Sequence, residues 1–346
     1  MNRKAIGLLS GGLDSTLAIK LVHNQGIEVL ALNFFTIFCR CNRKGGCGAA
    51  AYRVTHEMGI PLQVITLKEE YLEIVKRPRY GYGQGMNPCV DCRILMFKKA
   101  KAFMEEKAAS FIVTGEVLGQ RPMSQHRRAI QTIERDSGLE GLILRPLSAK
   151  YFPPSIPERE GWVDRERFLR FSGRSRKPQM ELAGELGIWE YPCSSGGCLL
   201  TDPNFSARMR DLMEFNPDFD LRDCRFLKVG RHFRLAEKAR LIVGRSQDEN
   251  ETLHSLAGEE DLLFRTEGIV GPTSLLRGIY NDELVSLAAA ITARYSDIDG
   301  MPMVKVVFSN GKGSFNHFLL ARPIENQDLE KLRVGHRPKP GSMMKR

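Results

Sequence analysis

Two kinds of apolar spacing alternate along the first half of the chain. Residues 5–9, 27–34, 62–65, 111–114 and 142–144 are short, nearly uninterrupted apolar runs, the pattern of strands buried on both faces. Between them, residues 16–22, about 49–58 and 92–107 place apolar side chains at helical spacing, the last with Leu95, Phe97, Ala100 and Phe103 available for burial. Strands alternating with helices predict an α/β fold, a parallel sheet with helices on both faces. Three prolines in residues 151–157 predict a loop, and short helices are expected near 164–170 and 178–186. The character changes around Asn216-Pro217-Asp218. Beyond it come short strands, amphipathic helices near 248–256 and 282–295, and a hairpin in which residues 304–308 and 315–320 flank Asn310-Gly311. The organisation expected is a first domain over 1–218, a smaller α+β domain over 219–330 and a mobile basic tail over 331–346. Cys224 opens an expected strand of the second domain and reads as structural.

The first apolar run leads directly into Ser10-Gly11-Gly12-Leu13-Asp14-Ser15, and a helix follows. A glycine turn between strand and helix lets backbone N–H groups converge on an anion, and the helix dipole adds to the attraction. Ser10 and Ser15 supply hydroxyl donors, and Asp14 is placed to hold Mg2+ or orient a nucleotide. A serine-capped helix after a plain turn is the alternative. No Gly-Lys-Ser/Thr follows, so this is not a Walker A loop. Parallel sheets bind ligands beyond the carboxyl ends of their strands. Phe34, Gly115 and Glu116 lie at such ends, which makes Phe34 and Gly115 nucleotide-binding candidates beside Ser10, Gly11, Gly12, Asp14 and Ser15.

Cysteines are the second signal. Cys89-Val90-Asp91-Cys92 sits where a loop meets a helix, a position expected to lower thiol pKa. Cys193-Ser194-Ser195-Gly196-Gly197-Cys198 follows about a hundred residues on. Three readings stay open for Cys89, Cys92 and a distant cysteine: a three-thiolate [4Fe–4S] site with one iron open to an exchangeable ligand such as hydrosulfide, a redox or persulfide pair, or zinc or plain structure. Gly196-Gly197 permits close backbone approach and favours Cys198 over Cys193 as third ligand. Cys39, Cys41 and Cys47 form a separate group in a basic, glycine-rich loop, as a second metal site, a sulfur relay or a loop staple.

Composition narrows the partner. The 346 residues carry a net charge of +10, which suits an anionic partner, nucleic acid first, against a merely solvated basic surface. Arg165, Arg167, Arg170, Arg174, Arg176 and Lys177 form one basic stretch. Arg222, Arg225, Lys228, Arg231 and Arg234 form another, interleaved with Phe226 and Phe233, which read as base-stacking platforms or as the buried face of a strand. Arg174, Arg176, Lys177 and Arg231 are the RNA-contact candidates. No apolar run approaches a membrane span, and the chain enters a strand at once, so neither a membrane segment nor a signal peptide is expected. A cytoplasmic protein follows, and its eight cysteines are then thiols or metal ligands.

The order S-G-G-x-D-S resembles the PP-loop of the ATP pyrophosphatase superfamily. Thr114-Gly115-Glu116-Val117-Leu118-Gly119-Gln120, continuing to Ser124-Gln125, and Arg145-Pro146-Leu147 followed by Lys150 resemble the ThiI family of tRNA 4-thiouridine synthetases. The C-x-x-C is similar to that of iron–sulfur-dependent thiolases among archaeal ThiI-like and MnmA-like proteins. The resemblance covers roughly residues 1–200. The RNA-binding modules that usually precede the loop in ThiI are not ahead of residue 10, no rhodanese-like domain is evident, and the region from 219 is faintly similar to the RNA-binding domain of NFACT proteins.

The resemblance implies a Rossmann-like, adenine nucleotide alpha hydrolase-like domain that thiolates tRNA in two steps. ATP adenylates a uridine carbonyl oxygen with release of pyrophosphate, then sulfur displaces AMP. It implies ATP, Mg2+ and a [4Fe–4S] cluster on Cys89, Cys92 and Cys198 as cofactors, with Asp14 and these cysteines as catalytic residues. Gln120 and Gln125 become candidates for contact with ATP or the target base, Gln120 being assigned to ATP. The partners implied are tRNA and a sulfur donor, sulfide or a cysteine desulfurase, with a homodimer left open. The expected product is 4-thiouridine. The alternatives are 2-thiouridine made by a persulfide route and a PP-loop enzyme adenylating a small molecule.

Overall fold

In the computed structural model, residues 4–40, 47–189, 191 and 197–335 are described. Cys41, Cys193, Gly196, residues 336–346 of the basic tail and the side chain of Cys47 lie outside the described residues. The chain divides into two compact units, Met1–Thr201 and Asp202–Arg346.

The first unit is built on β1 (Lys4–Leu8), whose apolar residues from Ala5 onward are all buried. It is the central strand of a five-stranded sheet in the order β3-β2-β1-β4-β5, with β2 (Glu28–Thr36), β3 (Leu62–Leu67), β4 (Phe111–Thr114) and β5 (Ile143–Leu144) all parallel. Burial on both faces explains why β1 and β4 are continuous apolar runs, whereas the edge strand β3 leaves Gln63, Val64 and Thr66 exposed. Helix α1 (Leu13–His23) lies close against β1 because Gly7 has no side chain; a Cβ there would sit 2.8 Å from Ile19 Cδ1. Helices α2 (Cys47–Met58), α3 (Glu69–Lys76), α4 (Cys89–Glu106), α5 (Arg127–Ser137), α6 (Ile156–Arg159) and α7 (Lys177–Glu185) complete the unit. α1 and α7 share one core with Ala5, Val29 and Val113, while Phe97 and Phe103 of α4 join Ile6, Leu8 and Ile112 in another. Neighbouring strand residues thus point to opposite faces, each covered by helices. The α/β parallel-sheet expectation holds. The short helix expected near 164–170 is only a single 3₁₀ turn at Arg165–Arg167, capped by Asp164.

The second unit begins with α8 (Pro203–Phe215), in residues the sequence reading had left in the first domain, and α9 (Leu221–Phe226). Cys224 is buried in α9, so the expected strand there is a helix, started by the Asp220/Asp223 capping box. A seven-stranded antiparallel sheet follows, in the order β11-β10-β8-β9-β7-β6-β12. Its strands are β6 (Arg231–Ala236), β7 (Ala239–Val243), β8 (Leu262–Thr266), β9 (Ser274–Gly278), β10 (Val304–Asn310), β11 (His317–Ala321) and β12 (Arg333–Val334). α10 (Gln247–Leu256), α11 (Asp282–Arg294) and α12 (Asn326–Leu332) are its remaining helices. Alternate residues feed two cores: Leu241, Phe264 and Leu276 meet α11, while Ile242, Leu263 and Leu275 meet Phe226 and Leu253. The expected hairpin is β10–β11. The basic tail is not wholly loose, because Arg333 and Val334 pair with Phe233 and His232. Among the described residues, no helix is long and apolar enough to cross a membrane.

Candidate active site

The PP-loop closes between β1 and α1. Gly11 takes φ +75°, a conformation that favours glycine, and Gly12 caps α1 in an extended conformation. The loop is tied internally: the Ser10 amide donates to Ser15 Oγ (3.2 Å), while Ser15 Oγ and Thr16 Oγ1 donate to the Gly12 carbonyl (2.9 and 3.1 Å). The loop therefore has one shape before any ligand arrives, with the positive end of α1 behind it. Asn33, a polar residue inside the apolar run of β2, is buried and donates from Nδ2 to the Leu9 carbonyl (2.5 Å), holding the strand end that enters the loop.

Asp14 is the centre of the charged part. Its Oδ2 accepts from Gln120 Nε2 (3.0 Å) and lies 3.9 Å from Arg176 Nη2. Asp14 Oδ1 and Arg176 Nε are both buried with no protein partner. An orphan carboxylate oxygen beside an orphan guanidinium nitrogen is costly unless a ligand completes both. A metal-bound polyphosphate would do so, the oxygen facing the cation and the N–H a phosphate. Arg176, grouped by sequence with RNA contacts, stands here at the start of α7, which packs on α1. Arg174 and Lys177 are exposed to solvent.

Gly115 corrects an expectation. Its place at a strand end suggests close approach of a nucleotide, whereas in the structure a Cβ there would meet the loop itself, 2.4 Å from Asp14 C and Ser15 N. Gly115 lets β4 touch the backbone of the PP-loop. Phe34 is half-buried and packs with Ile65 and Val90 against the α4 side of the sheet. Gln125 staples its own loop, its Oε1 accepting from the Arg121 amide (3.0 Å) and its carbonyl from the Gly119 amide (2.7 Å). Lys150 Nζ donates to the Glu166 backbone and side chain, both at 3.1 Å.

The residue after Gly115 links the loop to the cysteines. Glu116 is fully buried, Oε1 accepting from Arg93 Nε (3.0 Å) and Nη2 (2.7 Å), Oε2 from Arg145 Nε (3.0 Å). Arg145 also pairs with Glu134. Burial alone would raise the Glu116 pKa, but the two guanidinium groups outweigh it and hold the carboxyl below its ordinary value. Arg93 directly follows Cys92.

Four thiols gather at this edge. Cys39 follows β2, Cys89 and Cys92 open α4, and Cys198 lies on the segment paired with Cys39 across an antiparallel bridge. Asp91, between the two cysteines of the motif, accepts the amides of Arg79 (3.1 Å) and Tyr80 (3.0 Å) and fixes the loop ahead of them. Tyr71 is buried near the cysteines, and burial followed by the nearby Cys92 and Cys198 sulfurs raises its pKa well above normal. Burial pushes the Cys92 thiol up to about 11 and the Cys198 thiol up to about 12, the other sulfurs adding to both shifts. Burial also raises Cys89, with Arg121 and Arg93 pulling the other way. The expected depression of these thiols by a helix N-terminus is thus reversed, because desolvation outweighs the dipole. Among the described residues, no set of three or more His, Cys, Asp or Glu side chains surrounds a single metal-ion position.

In the second unit, Arg231 donates to the Gly244 carbonyl (3.3 Å) and lies over the Tyr295 ring (4.7 Å). Arg234 is held by Asp211 through two hydrogen bonds (3.1 and 2.6 Å), and Arg240 also pairs with Asp211. Phe226 and Phe233 are buried, so they are core and not stacking platforms. Charge alone had marked Arg231 and Arg234 as phosphate contacts, but both bind the protein itself. Of the site's remaining residues, Asn33 carries a signal, a polar group inside an apolar run, and Glu116 is marked only by its place at a strand end. Tyr71 and Arg93 carry none.

Comparison with known proteins agrees with these features. Residues 1–150 match the family model described as Thiamine biosynthesis protein (ThiI), and residues 230–333 match that of the NFACT protein RNA binding domain. A tRNA-specific 2-thiouridylase MnmA from Bartonella quintana (strain Toulouse) is 29% identical over 148 residues, 39% of this chain and 36% of that protein. The chain thus spans about a third of that relative's length. Among solved structures, a 4-thiouridine synthetase–RNA complex with bound ATP aligns with TM-score 0.35 and 21% identity over 54% of this chain and 51% of that one. The U34-tRNA thiolase NcsA from Methanococcus maripaludis, with its [4Fe–4S] cluster, aligns with TM-score 0.33 and 20% identity over 66% and 72%. The PP-loop superfamily that includes the tRNA thiolation enzymes is supported for this chain by a ThiI match over residues 1–150 and an NFACT RNA-binding-domain match over residues 230–333, each covering less than half of it.

Proposed function

We propose that this chain is an ATP-dependent tRNA uridine sulfurtransferase whose product is 4-thiouridine. One observation carries the reading: two short routes join the nucleotide loop to the thiols. Gln120 holds Asp14 while its neighbour Arg121 acts on Cys89. Gly115 abuts Asp14 and Ser15 while its neighbour Glu116 binds Arg93, beside Cys92. Activation and sulfur delivery then share one edge of the sheet.

A uracil carbonyl is a poor electrophile and its oxygen a poor leaving group, and adenylation corrects both. The loop amides and the α1 dipole stabilise the departing pyrophosphate. Asp14 Oδ1 would hold Mg2+, Gln120 fixes the carboxylate, and Arg176 Nε would meet a phosphate oxygen. Cys89, Cys92 and Cys198 fit a [4Fe–4S] cluster by chemistry: they are soft donors whose burial penalises a bare thiolate, a penalty that a bound cation offsets. Such a cluster supplies an open coordination position for exchangeable sulfur. The NFACT-type domain supports tRNA as the substrate.

The match to ThiI favours 4-thiouridine, and the MnmA relative favours 2-thiouridine as the second reading. The test is incubation of anaerobically purified protein with unmodified tRNA, ATP and sulfide, followed by AMP measurement and nucleoside mass spectrometry. AMP and 4-thiouridine formation, both abolished by Asp14→Ala, are expected. AMP release unchanged in Asp14→Ala removes the PP-loop assignment, and 2-thiouridine in place of 4-thiouridine selects the second reading. Iron counting on Cys89→Ser, Cys92→Ser and Cys198→Ser tests the ligand set separately.

A further inference from the structure

We propose that Cys39 and Cys198 are a disulfide site, a cross-strand pair that closes under oxidising conditions and withdraws Cys198 from the other thiols. The backbone argument is independent of any cofactor. Cys39 and Cys198 are direct partners across an antiparallel bridge. The hydrogen bonds lie on either side of them, from the Leu199 amide to the Phe38 carbonyl (2.8 Å) and from the Arg40 amide to the Gly197 carbonyl (3.3 Å). The two cysteines therefore form a non-hydrogen-bonded pair, the class whose Cα atoms are about 4.5 Å apart and whose side chains emerge on the same face. A disulfide needs Cα atoms roughly 4.4–6.8 Å apart, so this pair closes by side-chain rotation alone.

The side chains agree with the backbone. Cys39 Sγ accepts from the Thr36 amide (3.4 Å) and lies 3.6 Å from Thr36 Oγ1, which anchors the sulfur at the end of β2. Both residues are partly exposed, and the exchange begins at Cys39 because the Cys198 thiol itself is buried. The oxidant class is a small-molecule disulfide. The Cys39 thiolate attacks one of its sulfurs and expels one thiolate. The Cys198 thiolate then attacks Cys39 Sγ and expels the second. The two protein thiols lose two protons and two electrons, and the oxidant leaves as two reduced thiols. Where Cys198 serves as a ligand or sulfur carrier, closure and that role exclude each other.

The test uses the full, reduced, metal-free chain equilibrated with graded ratios of oxidised to reduced glutathione, quenched with an alkylating reagent and mapped by mass spectrometry. Alkylation is expected to be lost at Cys39 and Cys198 together, with a cross-linked peptide joining residues 39 and 198 that dithiothreitol reverses. The linkage is absent in Cys39→Ser, whose fold is checked by circular dichroism. Full alkylation of both residues at the most oxidising ratio overturns the proposal. So does a wild-type linkage of Cys198 to Cys89, Cys92 or Cys193. Both results leave the ATP-dependent reading untouched, because AMP formation is measured separately.

Discussion

Gly115→Ala is the sharpest probe of how the fold sets the nucleotide loop. The added methyl would lie 2.4 Å from Asp14 C and Ser15 N and 2.5 Å from the Asp14 carbonyl oxygen. Ordinary carbon contacts lie at about 3.5–4.0 Å, so the first turn of α1 must retreat by roughly 1 Å. The obstacle is backbone, which no rotamer change relieves. Overpacking of this kind costs about 1–3 kcal/mol. In a unit of this size, a cost near 2 kcal/mol lowers Tm by roughly 4–8 °C. A 1 Å misplacement of the reacting groups costs about 10²-fold in rate. Gly7→Ala is the control, since its methyl meets the movable side chain of Ile19 at 2.8 Å and of Val29 at 3.0 Å, away from the loop. The assay is ATP-dependent AMP formation with tRNA, alongside thermal unfolding. Gly115→Ala is expected to lose far more activity than Gly7→Ala at comparable Tm loss. Gly115→Ala with AMP formation within twofold of wild type would refute the claim that β4 sets the position of the loop.

Arg176→Ala separates a phosphate contact from an RNA contact: the KM for ATP should rise about tenfold, the value of one charge-assisted hydrogen bond, while tRNA affinity and its salt dependence stay unchanged. Weaker, less salt-dependent tRNA binding with normal ATP use would reverse that assignment. Glu116→Gln leaves two arginines without their shared carboxylate and should cost about 3–5 kcal/mol in urea unfolding. Because the folded-state pKa of Glu116 lies below its unfolded value, its contribution is complete above the unfolded value of about 4.3 and is lost as pH falls through the folded one. Wild-type stability should therefore decline on acidification across that window, and this part of the decline should vanish in Glu116→Gln. A variant as stable as wild type at pH 7 would show that the Arg93–Glu116–Arg145 triad adds nothing.

The sequence by itself determined the parallel sheet, the glycine loop and the C-x-x-C at a helix start, because each is a local pattern. Short apolar runs bounded by turns and alternating with helical spacing read as strands of a parallel sheet, and a glycine pair between strand and helix has few conformations. The β10–β11 hairpin was legible for the same reason, from the turn at Asn310-Gly311. Tertiary structure alone decided which polar groups meet. Arg176 reaches Asp14 across 162 positions of chain, and Glu116 collects Arg93 and Arg145 from opposite directions in sequence. The bridge between Cys39 and Cys198 is likewise invisible to spacing. Charge counts mark Arg231 and Arg234 only as cations, and space alone shows that each guanidinium also engages a carbonyl or carboxylate of the protein. The helix-end argument misjudged Cys89 and Cys92 because burial, a property of the packed molecule, raises both thiols instead.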